Sequence, residues 1–265
     1  EPVMQRYTDW IGNALSGDLG QSLVKPGFSV TDLIRLALPI TLQLAIMGMV
    51  IALLVAVPLA IWAAYREGTA VDRVTNGVTA ALISIPGFLA GLLLAYLFVF
   101  QTNVPRYAFL IINVVIAAAA IYSAARAWGD DVPRAVIGRA AFGLVVLAFA
   151  LLVFFNFPSF PRTGFVRLTS EEGIVQNLRS AFLPALTISI TEIAVFTRLL
   201  RSDMITTLQE DYILSAKAKG MPAWRILCRE ALRPSSFSVL TLAGVAFGRA
   251  LGGTVIVESI FGIQG

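Results

Sequence analysis

Hydrophobic residues occur along this chain in runs that are long enough to cross a membrane. Crossing about 30 Å of hydrocarbon takes roughly 20 residues of helix. The segments Met47–Ala64 and Val78–Phe100 contain no charged residue. Because the runs lack strict polar and apolar alternation, helices are predicted and not the strands of a barrel. Six spans are predicted: Leu38–Tyr65, Thr75–Phe100, Ala108–Ala127, Arg139–Phe157, Phe182–Leu200 and Phe237–Val257.

Pro58, Pro86 and Pro184 lie within three of these predicted spans. A proline removes a backbone donor and clashes with the preceding turn, so each predicts a local break in its helix. Neighbouring helices or water can satisfy the freed carbonyl groups. A packing kink without function is the simpler interpretation for each proline taken singly.

The composition agrees with an all-α integral membrane protein. Hydrophobic residues make up 57% of the chain and charged residues only 14%, and there is no histidine and one cysteine, Cys228. A Cys/His metal cluster, an internal disulfide and histidine-based catalysis are thereby excluded. The chain begins at Glu1 without an initiator methionine, so we expect a targeting signal or a further span to precede it in a longer protein.

Charge predicts how the spans are oriented. A net charge of +4 in a membrane protein indicates basic cytoplasmic loops and contact with membrane lipid, and not nucleic acid. Placing the polar stretch Glu210–Pro234 in the cytoplasm puts most of the 20 Lys and Arg residues on that side. Residues 1–37 then form an extracytoplasmic segment, and residues 38–265 form the membrane domain.

The stretch Glu210–Pro234, "EDYILSAKAKGMPAWRILCREALRP", is too regular to be a passive linker. Gly220 suits the end of one short helix, and Pro222 suits the first turn of the next. Helical spacing in the second helix predicts an apolar face and a basic stripe. This pattern favours a position at the membrane interface. The face comprises Trp224, Leu227, Cys228 and Ala231, and the stripe comprises Arg225, Arg229 and Arg233.

The first short helix carries apolar and small residues that an interfacial position does not explain. Tyr212, Ile213, Leu214 and Ala216 are predicted to project into the cytoplasm. Exposed apolar surface rimmed by charge is typical of a protein docking site. The pattern therefore predicts a partner protein at this helix.

The same stretch resembles the cytoplasmic coupling loop of bacterial ABC importer permeases of the dipeptide and oligopeptide branch. The motifs "GDLGQSL", "LPITLQLAIMGMVIALLVAVPLAIWAA", "SIPGFLAGLLLAYLF", "LPALTISI" and "GGTVIVESIFGIQG" resemble that family in the same order. Leu214-Ser215-Ala216 stand where the broader importer motif has Glu-Ala-Ala, which favours the peptide branch over sugar importers. The resemblance implies the transmembrane domain of a type I ABC importer in the bacterial inner membrane.

The resemblance also implies partners: a second homologous permease, two ATP-binding subunits and an extracytoplasmic substrate-binding protein. No GxxxxGK[ST] loop occurs in the chain, so ATP and Mg²⁺ are expected on partner subunits, and the chain is expected to be non-catalytic. Residues 201–234 would form the coupling loop. The residues expected to contact the ATPase are Glu210, Asp211, Tyr212, Ile213, Leu214, Ser215, Ala216, Lys217, Ala218, Lys219 and Gly220.

One segment departs from the family pattern. Residues 108–157 have no counterpart in it and predict an extra hairpin of two spans around the charged turn "WGDDVPR". An even number of additional crossings leaves every later orientation unchanged. We expect the hairpin to pack at the edge of the bundle.

Two charges and three glycines stand out within the last two spans. Glu192 and Arg249 lie at similar depths by helical rise, and predict either an ion pair or groups lining a translocation path. Gly244, Gly248 and Gly252 recur every four residues and predict close packing of a helix from this chain or from the second permease.

The sequence leaves alternatives of another class open. An ion-coupled secondary carrier could use Glu192 as its ion site, and an importer of this branch could take nickel complexes or other small solutes. A membrane-embedded enzyme is disfavoured because no activated nucleophile or paired carboxylates are found. A non-transporting receptor or scaffold remains compatible with the composition, although the coupling-loop pattern argues against it.

Overall fold

The computed structural model describes residues 2–23, 26–126, 133–161, 163–168, 170 and 173–263. These residues form helices and one isolated bridge between Gln21 and Ser29, with no strand among them. The helices are α1 Val3–Leu15, α2 Val30–Tyr65, α3 Ala70–Ser84, α4 Gly87–Ala95 with a π-helical continuation Tyr96–Phe100, α5 Asn103–Arg126, α6 Pro133–Phe155, α7 Gly173–Leu208, α8 Asp211–Ala218, α9 Ala223–Arg225 with a π-helical continuation Ile226–Ala231, and α10 Leu232–Ile260.

Membrane-length helices are found where the hydrophobic runs predict them. Five helical segments of the described chain are long and apolar enough to cross a membrane, and α3 with α4 makes a sixth if that bent pair is one span. The prediction of an all-α membrane protein with about six spans is confirmed. Both α2 and α7 have 36 residues, about 54 Å of helix. They are longer than the predicted spans because hydropathy marks the lipid-crossing part of a helix and not its whole length.

The prolines behave differently from the prediction of three local breaks. Pro58 lies inside α2 and Pro184 inside α7, and neither interrupts its helix. Pro86 does end a helix: Ile85 adopts an extended conformation, with φ −84° and ψ 120°, and α3 and α4 meet at an angle of 99°. The residue before a proline is disfavoured in the helical conformation, which agrees with the break at Ile85. Pro184 lies in a helix that continues, and it is buried among packed side chains.

Two compact units divide the chain, one formed by residues 1–91 and 163–265 and the other by residues 92–162. In the first unit, α7 contacts α2, α3 and α10. A stripe of alanines on α2 allows the close approach of larger side chains on α7 and α10. The core comprises Ala52, Ala56, Ala60, Ala64, Ile193, Phe196, Leu200, Met204, Ala231, Val239, Ala243 and Ala246.

Polar contacts show which helix ends lie together in this unit. At one end, Thr41 Oγ1 donates to Glu258 Oε1 at 2.8 Å, and Gln43 Nε2 donates to Asn177 Oδ1 at 2.6 Å. At the other end, the hydroxyl oxygens of Thr207 and Ser235 lie 2.9 Å apart. Residues 163–168 lie at the first end, since Asn177 Nδ2 donates to the Val166 carbonyl and the Val166 N–H donates to Ser180 Oγ at 3.1 Å. The loop from 209 to 222 therefore lies at the opposite end of the bundle, as the alternating topology predicts.

The second unit is built around the hairpin of α5 and α6. Gly143 allows the two helices to approach, because a Cβ there would lie 2.9 Å from Ile121 Cγ1 and 3.0 Å from the Ala117 carbonyl oxygen. The Arg106 guanidinium lies over the Phe154 ring, 4.1 Å from its centroid. These helices include most of the segment 108–157. Residues 127–132 of its predicted charged turn lie outside the described residues, and the status of the hairpin as an insertion stays a prediction.

Candidate functional site

The predicted coupling segment folds as two short helices with a sharp stop between them. Helix α8 begins after Glu210, whose extended φ of −69° and ψ of 148° are typical of an N-cap position. It ends where Gly220 takes a φ of +73°, a left-handed conformation that glycine adopts without strain. The Met221 N–H donates to the Ala216 carbonyl at 3.2 Å. Helix α9 follows directly after Pro222, so the predicted stop and restart are confirmed.

A small hydrophobic core lies beneath α8 and corrects one prediction. Ile213 is fully buried and Ala216 is 8% exposed, whereas the sequence pattern predicted that both project into the cytoplasm. They pack with buried Ile226 and with the partly buried Leu208 and Met221. Burying a side chain such as Ile213 stabilises the fold by about 1.5–3 kcal/mol. Ile213 and Ala216 therefore belong to the core of the loop itself, and their side chains do not form its outward surface.

The outward face of α8 is smaller than predicted. Tyr212 is 46% exposed and Leu214 is 53% exposed, and both lysines of the helix end are exposed. The Tyr212 hydroxyl donates to the Glu230 carbonyl at 3.4 Å, which links α8 to the following π-helical segment. Partial burial raises the pKa of the Tyr212 phenol, and the carboxylates of Glu210 and Glu230 raise it further. The phenol therefore stays neutral at physiological pH. The other exposed residues of this face are Glu210, Asp211, Ser215, Lys217, Ala218, Lys219 and Gly220.

The second helix of the loop differs from the prediction in part. Ala231 is buried and Leu227 is partly buried against the core, as the predicted apolar face requires. Trp224 is 68% exposed and Cys228 is exposed, and Ile226, which the predicted face did not include, is buried. The predicted apolar face assumed regular α-helical spacing, but residues 226–231 are π-helical. Hydrogen bonds of a π-helix run from i to i+5, so the inward face shifts. Trp224 is left on the surface, where it can meet a membrane interface.

A buried carboxylate close to this loop escaped the sequence analysis. Asp72 on α3 is 5% exposed and accepts from Arg201 Nε at 2.5 Å and from Arg201 Nη2 at 2.8 Å. The Gly68 N–H and Asn76 Nδ2 also donate to it, at 3.0 and 3.2 Å. This clasp joins α3 and the loop after α2 to α7, whose end leads into α8. Arg201 lies 129 positions from Asp72 in the sequence, so helical periodicity could not predict that the two side chains meet.

The two charges predicted at similar depth lie next to each other. Arg249 Nη2 is 3.4 Å from Glu192 Oε1. They line a cavity of about 260 Å³ between α7, α10 and the start of α4, together with Gly87, Thr191 and Thr254 among others. Two oxygens of its lining residues, Glu192 Oε2 and Thr254 Oγ1, are buried without a hydrogen-bond partner among the described residues. A role of this pair in a translocation path stays a prediction.

The three spaced glycines of α10 face open space. A Cβ atom built at Gly244, Gly248 or Gly252 would meet no atom within 4 Å. None of the described helices of this chain therefore packs closely on them. Packing against a second permease, the other part of the prediction, stays a prediction.

A comparison with protein-family models places these features in a known context. Residues 56–265 match the family described as "Binding-protein-dependent transport system inner membrane component". The chain belongs to this family. The segment 201–234, the Asp72 clasp and the cavity beside Glu192 all lie inside the matched residues. The chain is accordingly a multi-pass membrane protein of an inner-membrane family, and the fold class predicted from the sequence is confirmed.

Several relatives of the chain carry the names of peptide permeases. The chain is 27% identical over 261 residues to the oligopeptide transport system permease protein AppB of Bacillus subtilis (strain 168). It is 26% identical over 265 residues to the probable peptide ABC transporter permease protein y4tP of Sinorhizobium fredii. It is 29% identical over 270 residues to the di/tripeptide transport system permease protein DppB of Pseudomonas aeruginosa.

These alignments cover almost the whole chain but only part of each relative. They include 98% of this chain and 65% of AppB, and the whole of this chain with 66% of y4tP and 68% of DppB. The chain therefore spans about two thirds of the length of the relatives that it matches. The resemblance to peptide permeases drawn from the sequence motifs is confirmed.

Proposed function

We propose that this chain is the transmembrane permease subunit of an ATP-driven ABC importer for peptides. Its family membership and the peptide-permease names of its relatives support this. The proposed partners are a second homologous permease, two ATP-binding subunits and an extracytoplasmic substrate-binding protein. ATP and Mg²⁺ would be bound by the ATP-binding subunits, and this chain would contribute no catalytic group.

The observation that carries the proposal is the internal core of the coupling segment. Ile213 and Ala216 anchor α8 to Ile226, and the Tyr212 hydroxyl ties it to the Glu230 carbonyl. A helix held in this way moves as one body with its support, whereas a flexible loop would absorb an applied force. The exposed Leu214 and the exposed lysines are left for contact with an ATPase.

The support also leads into the membrane helices. Leu208, the last residue of α7, packs on the core of the segment, and the Asp72 clasp ties α7 to α3. The π-helical segment 226–231 contacts both α2 and α7. A displacement of α8 by a partner would therefore reach three spans together.

Leu214→Arg tests the docking face directly. Because Leu214 is exposed, the substitution leaves the internal core intact and places a long charged side chain in the proposed contact. We expect the variant to insert into the membrane normally but to retain little ATPase in a pull-down and to lose peptide uptake. Leu168→Arg is the matched control, because Leu168 is 54% exposed and lies at the opposite end of the bundle.

Normal ATPase binding and normal uptake by Leu214→Arg would contradict the proposal. Ala216→Arg is expected to act differently, because it would force a charged side chain into the core of the segment. It should lower the amount of folded chain in the membrane. The two variants therefore separate loss of the partner contact from loss of the segment itself.

A second candidate function rests on Glu192 Oε2, which has no hydrogen-bond partner in the part of the chain that the structure describes. A buried carboxylate with a free oxygen is typical of ion-coupled carriers as well as of transport paths. Uptake into membrane vesicles distinguishes the two functions. Dependence on ATP and on an outer binding protein supports the importer, and dependence on an ion gradient alone supports the carrier.

A further inference from the structure

A cavity lies between the coupling segment and the cytoplasmic ends of α2 and α7. Its volume of about 560 Å³ is within the range of roughly 300–1,000 Å³ that is usual for sites enclosing a whole small-molecule ligand. Residues of all three elements line it, among them Tyr65, Glu67, Ile205, Leu208, Lys217 and Met221. A ligand in this cavity would therefore contact the coupling segment and the ends of two membrane helices at once.

The lining combines apolar surface with one accessible charge of each sign. Ile205, Leu208 and Met221 are partly buried, so their side chains supply apolar contact. Glu67 and Lys217 are exposed. Within the described part of the chain, neither of these two side chains makes a hydrogen bond or an ion pair. Both charges are therefore available to a ligand.

The cavity lies at the aqueous edge of the membrane. The predicted lipid-crossing part of α7 ends at Leu200, and Ile205 and Leu208 follow five and eight positions later. At a rise of about 1.5 Å per residue, they lie about 7.5 and 12 Å further along the helix. The headgroup layer on each side of the hydrocarbon is only about 5–8 Å deep. The cavity is therefore open to solutes of the cytoplasm and not to lipid tails.

We infer that this cavity binds a short free peptide from the cytoplasm, with Glu67 as the partner of its ammonium group and Lys217 as the partner of its carboxylate. An ammonium group donates hydrogen bonds and a carboxylate accepts them, which matches these two residues. The side chains of the peptide lie against the apolar lining. The inference rests on the proposed function, since an importer of peptides releases such molecules on this side.

A peptide bound at this place acts on the coupling segment. Lys217 is one of the exposed lysines left for contact with the ATPase, so a peptide that holds Lys217 competes with that contact. The same peptide also connects the segment to the ends of α2 and α7. Peptide that accumulates in the cytoplasm should therefore slow ATP hydrolysis and further import, which makes the cavity a product-sensing site.

Protection of an introduced thiol tests the inference in the intact transport complex in lipid nanodiscs. Ala223 is exposed and lines the cavity, so Ala223→Cys with Cys228→Ser places one thiol there, and its labelling by neutral N-ethylmaleimide is followed. Leucyl-leucine is the probe, N-acetyl-leucyl-leucine lacks its ammonium group, and leucyl-leucinamide lacks its carboxylate. The exposed Cys228 thiol of the otherwise unchanged chain is the control, because it belongs to the same loop but not to the lining.

We expect leucyl-leucine to slow labelling at position 223 and not at Cys228. Each blocked peptide should need about three times the concentration for the same protection, as for the loss of a solvent-exposed ion pair. Glu67→Gln should raise the concentration of leucyl-leucine and of leucyl-leucinamide about threefold and leave that of N-acetyl-leucyl-leucine unchanged. Lys217→Gln should raise that of leucyl-leucine and of N-acetyl-leucyl-leucine and leave that of leucyl-leucinamide unchanged. Both residues are exposed, so both variants should fold.

Several results would overturn the inference. Equal protection by all three compounds, or none, would show a cavity without recognition of the two charges, and unchanged protection in both variants would remove Glu67 and Lys217 as partners. Slower labelling without peptide in phosphatidylethanolamine than in phosphatidylglycerol nanodiscs would assign the cavity to a lipid headgroup. Unchanged ATP hydrolysis at protecting concentrations, without binding protein, would remove the sensing role.

The proposed function is tested separately. ATP-dependent peptide uptake in the presence of the binding protein measures import and does not require the cavity. Uptake without protection would overturn the inference alone, and protection without uptake would overturn the proposed function alone.

Discussion

The buried Asp72 carboxylate holds together elements that are distant in sequence, so its removal should be costly. Asp72→Ala would leave the Arg201 guanidinium without its partner in a largely buried position, where its side chain is 18% exposed. We expect the free energy of unfolding to fall by about 3 kcal/mol. Thermal unfolding of the purified complex in detergent would detect this loss as a lower transition temperature.

Two further variants give the Asp72 prediction its control. Arg198→Gln removes an exposed charge three residues earlier on α7 and should change the free energy of unfolding by less than about 0.5 kcal/mol. The double variant Asp72→Ala with Arg201→Gln should be less unstable than the sum of the single changes, because neither charge is then left alone. Strict additivity would show that the clasp does not couple α3 to α7.

The sequence could predict which residues lie near each other where the prediction depended only on their depth along a membrane-spanning helix. Glu192 and Arg249 interrupt apolar spans, and helical rise alone indicates that they lie at similar depths. Asp72 gave no such signal because it lies in the polar first turn of α3. Ala216 was assigned to the wrong face because small residues suit both a partner groove and an internal contact.

At the scale of the helix, two glycines that both lie inside long helices have opposite surroundings. A Cβ at Gly48 would lie 3.1 Å from the Ala185 carbonyl oxygen and from Ile188 Cγ2, whereas one at Gly244 would meet no atom of the described residues within 4 Å. We expect Gly48→Val to lower the amount of folded chain in the membrane, since overpacking costs about 1–3 kcal/mol. Quantitative immunoblotting of membranes measures this.

The same substitution at Gly244 should have a different effect. Gly244→Val fills open space in this chain, so the amount of inserted chain should match the wild type. If the open glycine face of α10 meets the second permease, the variant should recover less of that subunit on co-purification. Normal recovery of the second permease with Gly244→Val would exclude this face as the permease interface.

Helices could be located from hydropathy, but their ends and interruptions could not. The run that predicts a span at Phe182–Leu200 belongs to a helix of 36 residues, since the polar continuation toward the cytoplasm still forms helical hydrogen bonds. Prolines gave an ambiguous signal because their effect depends on the surrounding packing. The π-helical turn at 226–231 has no sequence signature of its own, so the inward face after Pro222 was predicted from the wrong spacing.

For the whole molecule, the topology is open to direct measurement. In a Cys228→Ser chain, a cysteine at Arg167 should react with a membrane-impermeant maleimide from outside intact cells, and one at Lys217 only in inside-out vesicles. Positive residues flank the cytoplasmic ends of the spans, which gives this orientation. Labelling of both positions from the same side would contradict the topology.

The bent pair of α3 and α4 needs a separate probe. If the pair crosses the membrane as one broken span, a cysteine at Gln101 should react from outside, as the sequence predicts. A cysteine at Gly68 should then react only from the cytoplasmic side. Gln43 of α2 and Asn177 of α7 lie together, so these two helices run in the same direction and an odd number of crossings lies between them. Labelling of position 101 from the cytoplasmic side would therefore contradict this arrangement.

The internal core of the coupling segment also restricts how this protein can diverge. Ile213, Ala216 and Ile226 fill one shared volume, so an enlarged side chain at one position requires a reduction at another. Leu214 faces outward and is free of that restriction, so its identity can follow changes in the ATPase. Among homologous chains we therefore expect two separate patterns of covariation, one within this segment and one between proteins.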